Sequence, residues 1–324
     1  MPLIASTYHP PRLLRHGHVA TILSSLLPAP QAAWTHHERL ELADDDFLDV
    51  VWQRHLNAGK DGCPHPLAIL SHGLEGSLQA PYIRSMARTL SARGWDVLAW
   101  NYRSCGGTPN RLLRSYHSGE SGDLRRVIDH AALTYPHIAL IGFSLGGNIT
   151  LKYVGEAPPH PAVHAAIAIS APVDLSSSAR ALDQRRGNRL YLQRFLKTLL
   201  GKAAAKALQF PGSIDPARLT KIRSIRDFDE YVTAPLHGFA GAEDYWTRAS
   251  SLPHLTNIRV PTLLLNALND PLLDQPSFPY AAALENPRFH LETPLHGGHV
   301  GFPDFLHSRQ PWHERRVLAI LESS

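Results

Sequence analysis

Apolar and polar residues alternate along ERLEL (38–42) and FLDVVWQ (47–53), with the acidic stretch ADDD between them. That spacing predicts two half-buried strands joined as a β-hairpin around an acidic turn. Further along, the pattern changes to short continuous apolar runs: PLAILSHGL (66–74), DVLAWNYR (96–103), HIALIGFS (137–144), HAAIAISAP (164–172), VPTLLLNAL (260–268) and RFHLETP (288–294). Runs of this length and composition read as strands covered on both faces. Between them, residues 80–93 read as a helix with Gly94 as its C-cap, 121–134 as a helix opened by Ser121 or Asp123, and 147–155 as a third helix. Strands alternating with helices predict an α/β protein with a mostly parallel sheet and helices on both faces.

The alternation stops over residues 175–256, which read as helices and loops without a strand-like run. This stretch is expected to be a helical cap inserted between two late strands. Residues 1–36 contain Pro and His, show little periodicity, and are expected to form an irregular arm packed on the body. The expected organisation is therefore an arm (1–36), a core (37–174 and 257–324) and an inserted cap (175–256).

Composition narrows the class without naming a function. The chain has 324 residues, 44% hydrophobic and 19% charged, which is ordinary globular composition and excludes a disordered chain. A net charge of +4 is too mild to imply a nucleic-acid partner. The two cysteines, Cys63 and Cys105, make no disulfide framework and fit a reducing compartment, although a single bridge between them stays open. The first residues lack a basic stretch ahead of an apolar core, and no uncharged apolar run reaches the ~20 residues of a membrane helix. The expectation is a cytoplasmic protein.

The most telling motif is Gly142-Phe143-Ser144-Leu145-Gly146, directly after one predicted strand and directly before a helix. A serine hydroxyl is a weak nucleophile unless it is exposed, oriented and next to a base. A sharp strand-to-helix turn supplies exposure, the flanking glycines allow close approach of the backbone, and the helix N-terminus sets N–H groups where an oxyanion would form. A phosphate loop is the rival reading, but neither the P-loop lysine nor the G-x-G-x-x-G spacing is present. The turn His72-Gly73-Leu74-Glu75-Gly76 ends an earlier strand and is expected to supply a second oxyanion donor. The two donors would be the N–H groups of Leu74 and Leu145.

Triads built on such a turn run in the order Ser, acid, His. The acid is expected after VPTLLLNAL, at Asp270 in preference to Asp274, because Asp270 lies at the turn itself while Asp274 fits a helix N-terminus. Twenty histidines compete for the role of base. The loop after the last strand, Leu295-His296-Gly297-Gly298-His299, offers His299 in preference to His296, because glycines beside His299 leave its loop free to approach Ser144. A metal pair is not favoured at this H-x-x-H, since no H-E-x-x-H or cysteine cluster accompanies it. Asp227, Asp229, Glu230 and Asp244, which could suggest a metal site, are expected to anchor the cap to the body. Tyr116, His117, Ser118 and Asp123 are expected to order the loop beside the site.

With these motifs placed, the sequence resembles the YheT-type branch of the α/β-hydrolase superfamily, which includes esterases related to animal abhydrolase-domain lipases and the plant EMB8 proteins. The resemblance runs through TILSSLLP, ERLELADDDFLDVVW, SHGLEGS, NYRSCGG with YHSGESGDL, GFSLGGNI, RDFDEYVTAPLHGF with DYW, NALNDP and GGHVGF, in that order. The arm reads RHGHVATIL where the family usually has a form closer to NPHLQT, and Asn269 stands for the first of two aspartates. The resemblance implies carboxylic-ester hydrolysis by Ser144, Asp270 and His299; the substrate expected is a small acyl ester, this chemistry needs no metal or organic cofactor, and no nucleic-acid partner is expected. Thioester hydrolysis or acyl transfer would use the same residues, and a silent binding scaffold is the alternative of another class.

Residues 180–226 hold twelve Lys/Arg against two acids, Asp183 and Asp215, a local charge of +10 in a chain of +4. Tyr191, Phe195, Leu199 and Leu208 recur among Arg194, Lys197, Lys202 and Lys206. Two readings follow: a solvated basic face, or a peripheral contact with anionic lipid.

Overall fold

The structure, a computed structural model, describes residues 2–26, 31, 33–54, 65–304 and 310–322. Cys63 and the end of TILSSLLP lie outside the described residues. The described strands are β1 (Leu3–Ile4), β2 (His36–Glu41), β3 (Phe47–Gln53), β4 (Leu67–Ser71), β5 (Asp96–Trp100), β6 (Ile138–Phe143), β7 (Val163–Ile169), β8 (Thr262–Leu265) and β9 (Phe289–Glu292). They form one sheet in the order β1-β9-β8-β7-β6-β4-β5-β3-β2. Only β3 pairs antiparallel, with β2 and with β5; the other pairings are parallel. The apolar runs end as strands before the predicted segments do, and the leftover residues form the turns at the C-terminal edge, where parallel sheets carry their sites.

The helices are α1 (Gly17–Leu26), α2 (Pro81–Ser91), α3 (Ser121–Ala132), α4 (Leu145–Glu156), α5 (Leu175–Gln184), α6 (Arg189–Gln209), α7 (Pro216–Leu219), α8 (Ile225–Phe228), α9 (Ala234–His237), α10 (Ala242–Ala249), α11 (Tyr280–Glu285) and α12 (Trp312–Leu321). A π-helical turn, Asp229–Thr233, joins α8 to α9. Successive strand residues face opposite sides, so each run feeds two cores. Leu67 and Ile69, with Ile138 and Leu140, pack against Leu124 and Ile128 of α3 and Ile149 of α4. Ala68, Leu70, Ile141 and Phe143 pack on the other side against Ile83 and Leu90 of α2 and Leu318 of α12. Full burial of side chains such as Leu67 or Phe143 stabilises the sheet by roughly 1.5–3 kcal/mol each.

Between β7 and β8 the described chain contains no strand, and its helices bury a separate cluster around Leu182, Leu196, Phe228 and Trp246. Leu252 and Leu255 already pack in the core of the sheet, a little before the expected boundary at 257.

Four expectations are corrected by the packing. The arm is not irregular throughout: Leu3 and Ile4 extend the sheet beside Leu291 and Glu292, and Gly17–Leu26 is helical. Lys202 and Lys206 do not belong to an outward basic face. Lys206 is 5% exposed and donates to the Asn110 and Leu112 carbonyls, while Lys202 is paired with Glu75. Leu208 leaves the apolar stripe altogether at 84% exposure, whereas Tyr191, Phe195 and Leu199 pack on the insert's cluster.

The acids of the insert serve the insert itself. Asp227 closes a capping box with Ser224, and Asp229 accepts from Thr233 Oγ1 and Trp246 Nε1. Asp244 accepts from the Ala240 N–H and from Arg248, and it is the Tyr245 hydroxyl that reaches the body, accepting from the Ser118 N–H. The acidic turn of the hairpin forms as expected, and it is also an ion-pair site. Arg103, 3% exposed, forks onto Asp123 at 2.8 Å twice and reaches Asp46 at 2.8 Å and Asp44 at 3.0 Å.

Candidate active site

Ser144 sits between β6 and α4 with φ 53° and ψ −119°, a backbone conformation few non-glycine residues adopt. The turn is possible because its neighbours lack side chains. A Cβ on Gly142 would lie 2.2 Å from the Gly146 carbonyl oxygen, and one on Gly146 would lie 2.4 Å from that of Ser71. The helix begins at Leu145, immediately after the serine and two residues earlier than the pattern suggested.

His299 Nε2 lies 2.8 Å from Ser144 Oγ, and its Nδ1 lies 2.8 Å from Asp270 Oδ2. With the Nδ1 proton donated to the carboxylate, Nε2 is left as an acceptor toward the serine hydroxyl. The Asp270 side chain is fully buried, and its other oxygen accepts from the Leu272 N–H at 2.8 Å, which holds the carboxylate plane. The competing residues stand elsewhere. His296 is half-buried with no partner for Nδ1 among the described residues. Asp274 caps the turn Gln275–Ser277 and pairs with Arg185.

The loop after β4 presents three consecutive N–H groups, two of them occupied. The Gly73 N–H donates to the Tyr82 hydroxyl at 2.9 Å and the Glu75 N–H to that of Tyr116 at 3.1 Å. No acceptor takes the N–H of Leu74, nor that of Leu145 across the cleft, among the described residues. Both residues line the same cavity as Ser144 and His299. Beneath this loop His72 donates from Nδ1 to the Gly73 carbonyl at 2.8 Å, and burial pulls its pKa down to about 4, so the ring stays neutral.

Residues 66–306 match the family model described as the alpha/beta hydrolase fold. The chain belongs to the α/β-hydrolase family. Within that family it is 34% identical to YheT of Escherichia coli (strain K12), an esterase by name, over 97% of this chain and 92% of that one. It is 27% identical to human phospholipase ABHD3 over 98% of this chain and 78% of the relative. Among solved structures, the Pyrococcus furiosus esterase Pf2001 shares the fold with a TM-score of 0.58 at 17% identity, covering 91% of this chain and 96% of that one.

In this hydrolase the cavity at Ser144 is small, about 90 Å³, with apolar walls from Leu175, Ala179, Leu182, Phe195 and Leu272. A second cavity of about 90 Å³ adjoins it across Leu74, Leu145 and Tyr245, and is lined by His117, His237 and Lys202. Asp229 faces both, and burial pushes its carboxyl up to about 7. A larger cleft of about 630 Å³ opens beside Arg39, Asp49 and Gly106, but none of Ser144, Asp270 and His299 lines it. Among the described residues, no group of three His, Cys, Asp or Glu could hold a metal ion, and no helix is long and apolar enough to cross a membrane. Cys105 is a buried free thiol, pushed up to about 11 by that burial, and so is not a thiolate near neutral pH.

The pattern missed the supports around the site. Ser170, itself at φ 53°, accepts from the Val300 N–H at 2.9 Å. Asn269 accepts from the Gly298 N–H at 3.1 Å and donates to the Arg15 carbonyl at 2.7 Å. Thr21 accepts from the His299 N–H at 2.8 Å. The glycines of the histidine loop have a second effect that the pattern did not mark: they let the loop press against α1, where a Cβ on Gly298 would lie 2.6 Å from the Gly17 carbonyl oxygen.

Proposed function

We propose that this chain is a serine hydrolase of carboxylic acyl esters, with Ser144 as nucleophile, His299 as general base and Asp270 as the acid that orients it. The observation that carries the reading is the unbroken chain of two 2.8 Å contacts from Ser144 Oγ through the imidazole to a fully buried carboxylate. As the hydroxyl oxygen attacks the ester carbonyl carbon, its proton passes to His299 Nε2. The imidazolium formed is stabilised by Asp270. The carbonyl oxygen gains charge between the N–H groups of Leu74 and Leu145, the latter at the positive end of α4. Collapse of this intermediate breaks the ester bond, and the leaving alkoxide takes the proton from His299. Water, deprotonated by the same nitrogen, then attacks the acyl-serine; the bond to Ser144 Oγ breaks, that oxygen takes the proton back from His299, and the acid is released. Residues 175–256 act as a cap whose apolar side chains wall the pocket over Ser144.

The relatives' names, esterase and phospholipase, support an ester substrate. A series of p-nitrophenyl esters of graded chain length tests the reading. Hydrolysis of at least one member by the wild type, lost in Ser144→Ala, is the expected result. Equal turnover by the two proteins would remove Ser144 from the mechanism.

A further inference from the structure

The loop that carries His299 has little regular structure to hold it. It leaves β9 at Glu292 and runs through Gly297 at φ 150°, Gly298 at 64°, Val300 at 57° and Phe302 at 43°. Left-handed conformations at Val and Phe persist only where the surroundings over-determine them. Here three successive N–H groups are each taken by a side chain from a different segment. That of Gly298 goes to Asn269 Oδ1, that of His299 to Thr21 Oγ1, and that of Val300 to Ser170 Oγ. Two of these acceptors come from loops beside the triad. Thr21 comes from α1, at the far end of the sequence.

The Thr21 hydroxyl is pre-set for this role. Its single proton is donated to the Gly17 carbonyl at 2.8 Å, one turn back, so its lone pairs face the His299 N–H at 2.8 Å. Helix and loop approach closely, through glycines on both sides. A Cβ on Gly17 would lie 2.0 Å from the Asn269 carbonyl oxygen, and one on Gly298 would lie 2.7 Å from Thr21 Oγ1. Further ties fix the arm along the same edge: the Tyr8 hydroxyl donates to the Pro303 carbonyl at 2.9 Å, and Asn269 donates to that of Arg15. One turn before Thr21 on the same face of α1, His18 stacks on Tyr191 of α6 with ring centroids 5.7 Å apart, and its Nδ1 lies 3.1 Å from the phenolic oxygen. The helix is thus tied both to α6 and to the histidine loop.

We propose that α1 is part of the catalytic apparatus, and that Thr21 is a positioning residue which, through the His299 N–H, holds the imidazole between Ser144 and Asp270. The proposal rests on the reading of His299 as the base. The experiment compares wild type, Ser144→Ala, Thr21→Val, Thr21→Ala and Thr21→Ser on p-nitrophenyl butyrate, with melting temperatures alongside. Thr21→Val keeps the shape and loses the hydroxyl; Thr21→Ser keeps the hydroxyl and loses the methyl. Positioning predicts a kcat lowered about 10- to 100-fold in Thr21→Val, with KM within about twofold, and recovery to within about threefold in Thr21→Ser. Simple packing predicts the reverse order. Thr21→Ala, which cannot overpack, must be at least as slow as Thr21→Val. Wild-type kcat in Thr21→Val or Thr21→Ala, or a serine variant as slow as the valine one, overturns the proposal. Ser144→Ala separates the two levels. If it is inactive the Thr21 series decides the proposal alone, and if it stays active the triad reading falls and takes this one with it.

Discussion

Lys202 of α6 holds Glu75 of the turn after β4, Nζ to Oε1 at 2.8 Å, so the long helix of the insert is fastened to the residue next to Leu74. The Glu75 side chain is 5% exposed and also accepts from the Tyr116 hydroxyl at 2.7 Å. Burial alone would lower the Lys202 pKa; the neighbouring acidic groups outweigh it and raise it.

This pairing makes Lys202→Met more harmful than the loss of a surface lysine, because it strands a buried carboxyl group beside Leu74, the proposed oxyanion donor. We expect kcat/KM to fall about tenfold, and Lys202→Met combined with Glu75→Gln to recover most of the loss. The coupling should be about 1 kcal/mol or more, below the fully buried range because Lys202 keeps a third of its side chain in solvent. Additive losses in the double-mutant cycle would remove the latch.

The two acids and two histidines that compete in the sequence separate by substitution. His299→Ala and Asp270→Asn should each lower kcat by about 10⁴-fold or more, while His296→Ala and Asp274→Asn stay within about tenfold of wild type. Ser144→Ala combined with His299→Ala should lose little beyond the single change, since the triad acts as a unit. A larger loss from Asp274→Asn than from Asp270→Asn would reverse the assignment of the acid.

Arg103 predicts a stability effect away from the chemistry. Arg103→Met leaves Asp46 and Asp123, both buried, without their cation. Removing one partner from a buried network costs about 3–5 kcal/mol. In a chain of this size that lowers the melting temperature by on the order of 10 °C. A change below about 1 kcal/mol in a urea titration would contradict the role assigned to this cluster.

His72 predicts a pH dependence with a definite sign. Its folded-state pKa of about 4 lies below the ordinary 6.5, with burial as the main cause. Between those values the unfolded chain takes up a proton that the folded chain refuses. The contribution is therefore intact above pH 6.5 and lost as pH falls toward 4, by about 3 kcal/mol in all. Urea midpoints at pH 7 and pH 4.5 should show a smaller drop for His72→Asn than for wild type. Equal drops would mean that His72 is not held neutral.

Much of the site was legible because it depends on local rules. A strand must stop and a helix must start around Ser144, and that requirement forces glycine at 142 and 146. The order of Ser144, Asp270 and His299 follows from the loops at one edge of a parallel sheet. What the pattern hid was tertiary. Nothing periodic marks Gly17–Leu26 as a helix, because it is held by its fit against Asn269 and Gly298. No spacing in the sequence pairs Asp44 and Asp46 with Arg103, since the segments that bring them together lie far apart. Lys202 and Lys206 group with the basic residues of 180–226 in sequence for the same reason: helical spacing gives a face, and only packing says what the face meets.

The central claim is that Ser144 is an activated nucleophile, and covalent capture tests it most directly. A fluorophosphonate probe reacts with a serine whose proton is taken by a neighbouring base, with fluoride as the leaving group. Intact-mass and peptide mass spectrometry should find one phosphonate per chain, on the peptide bearing Ser144. Labelling should be absent in Ser144→Ala and slowed by at least about 100-fold in His299→Ala. A wild-type protein that is folded and left unlabelled at Ser144 would contradict the account.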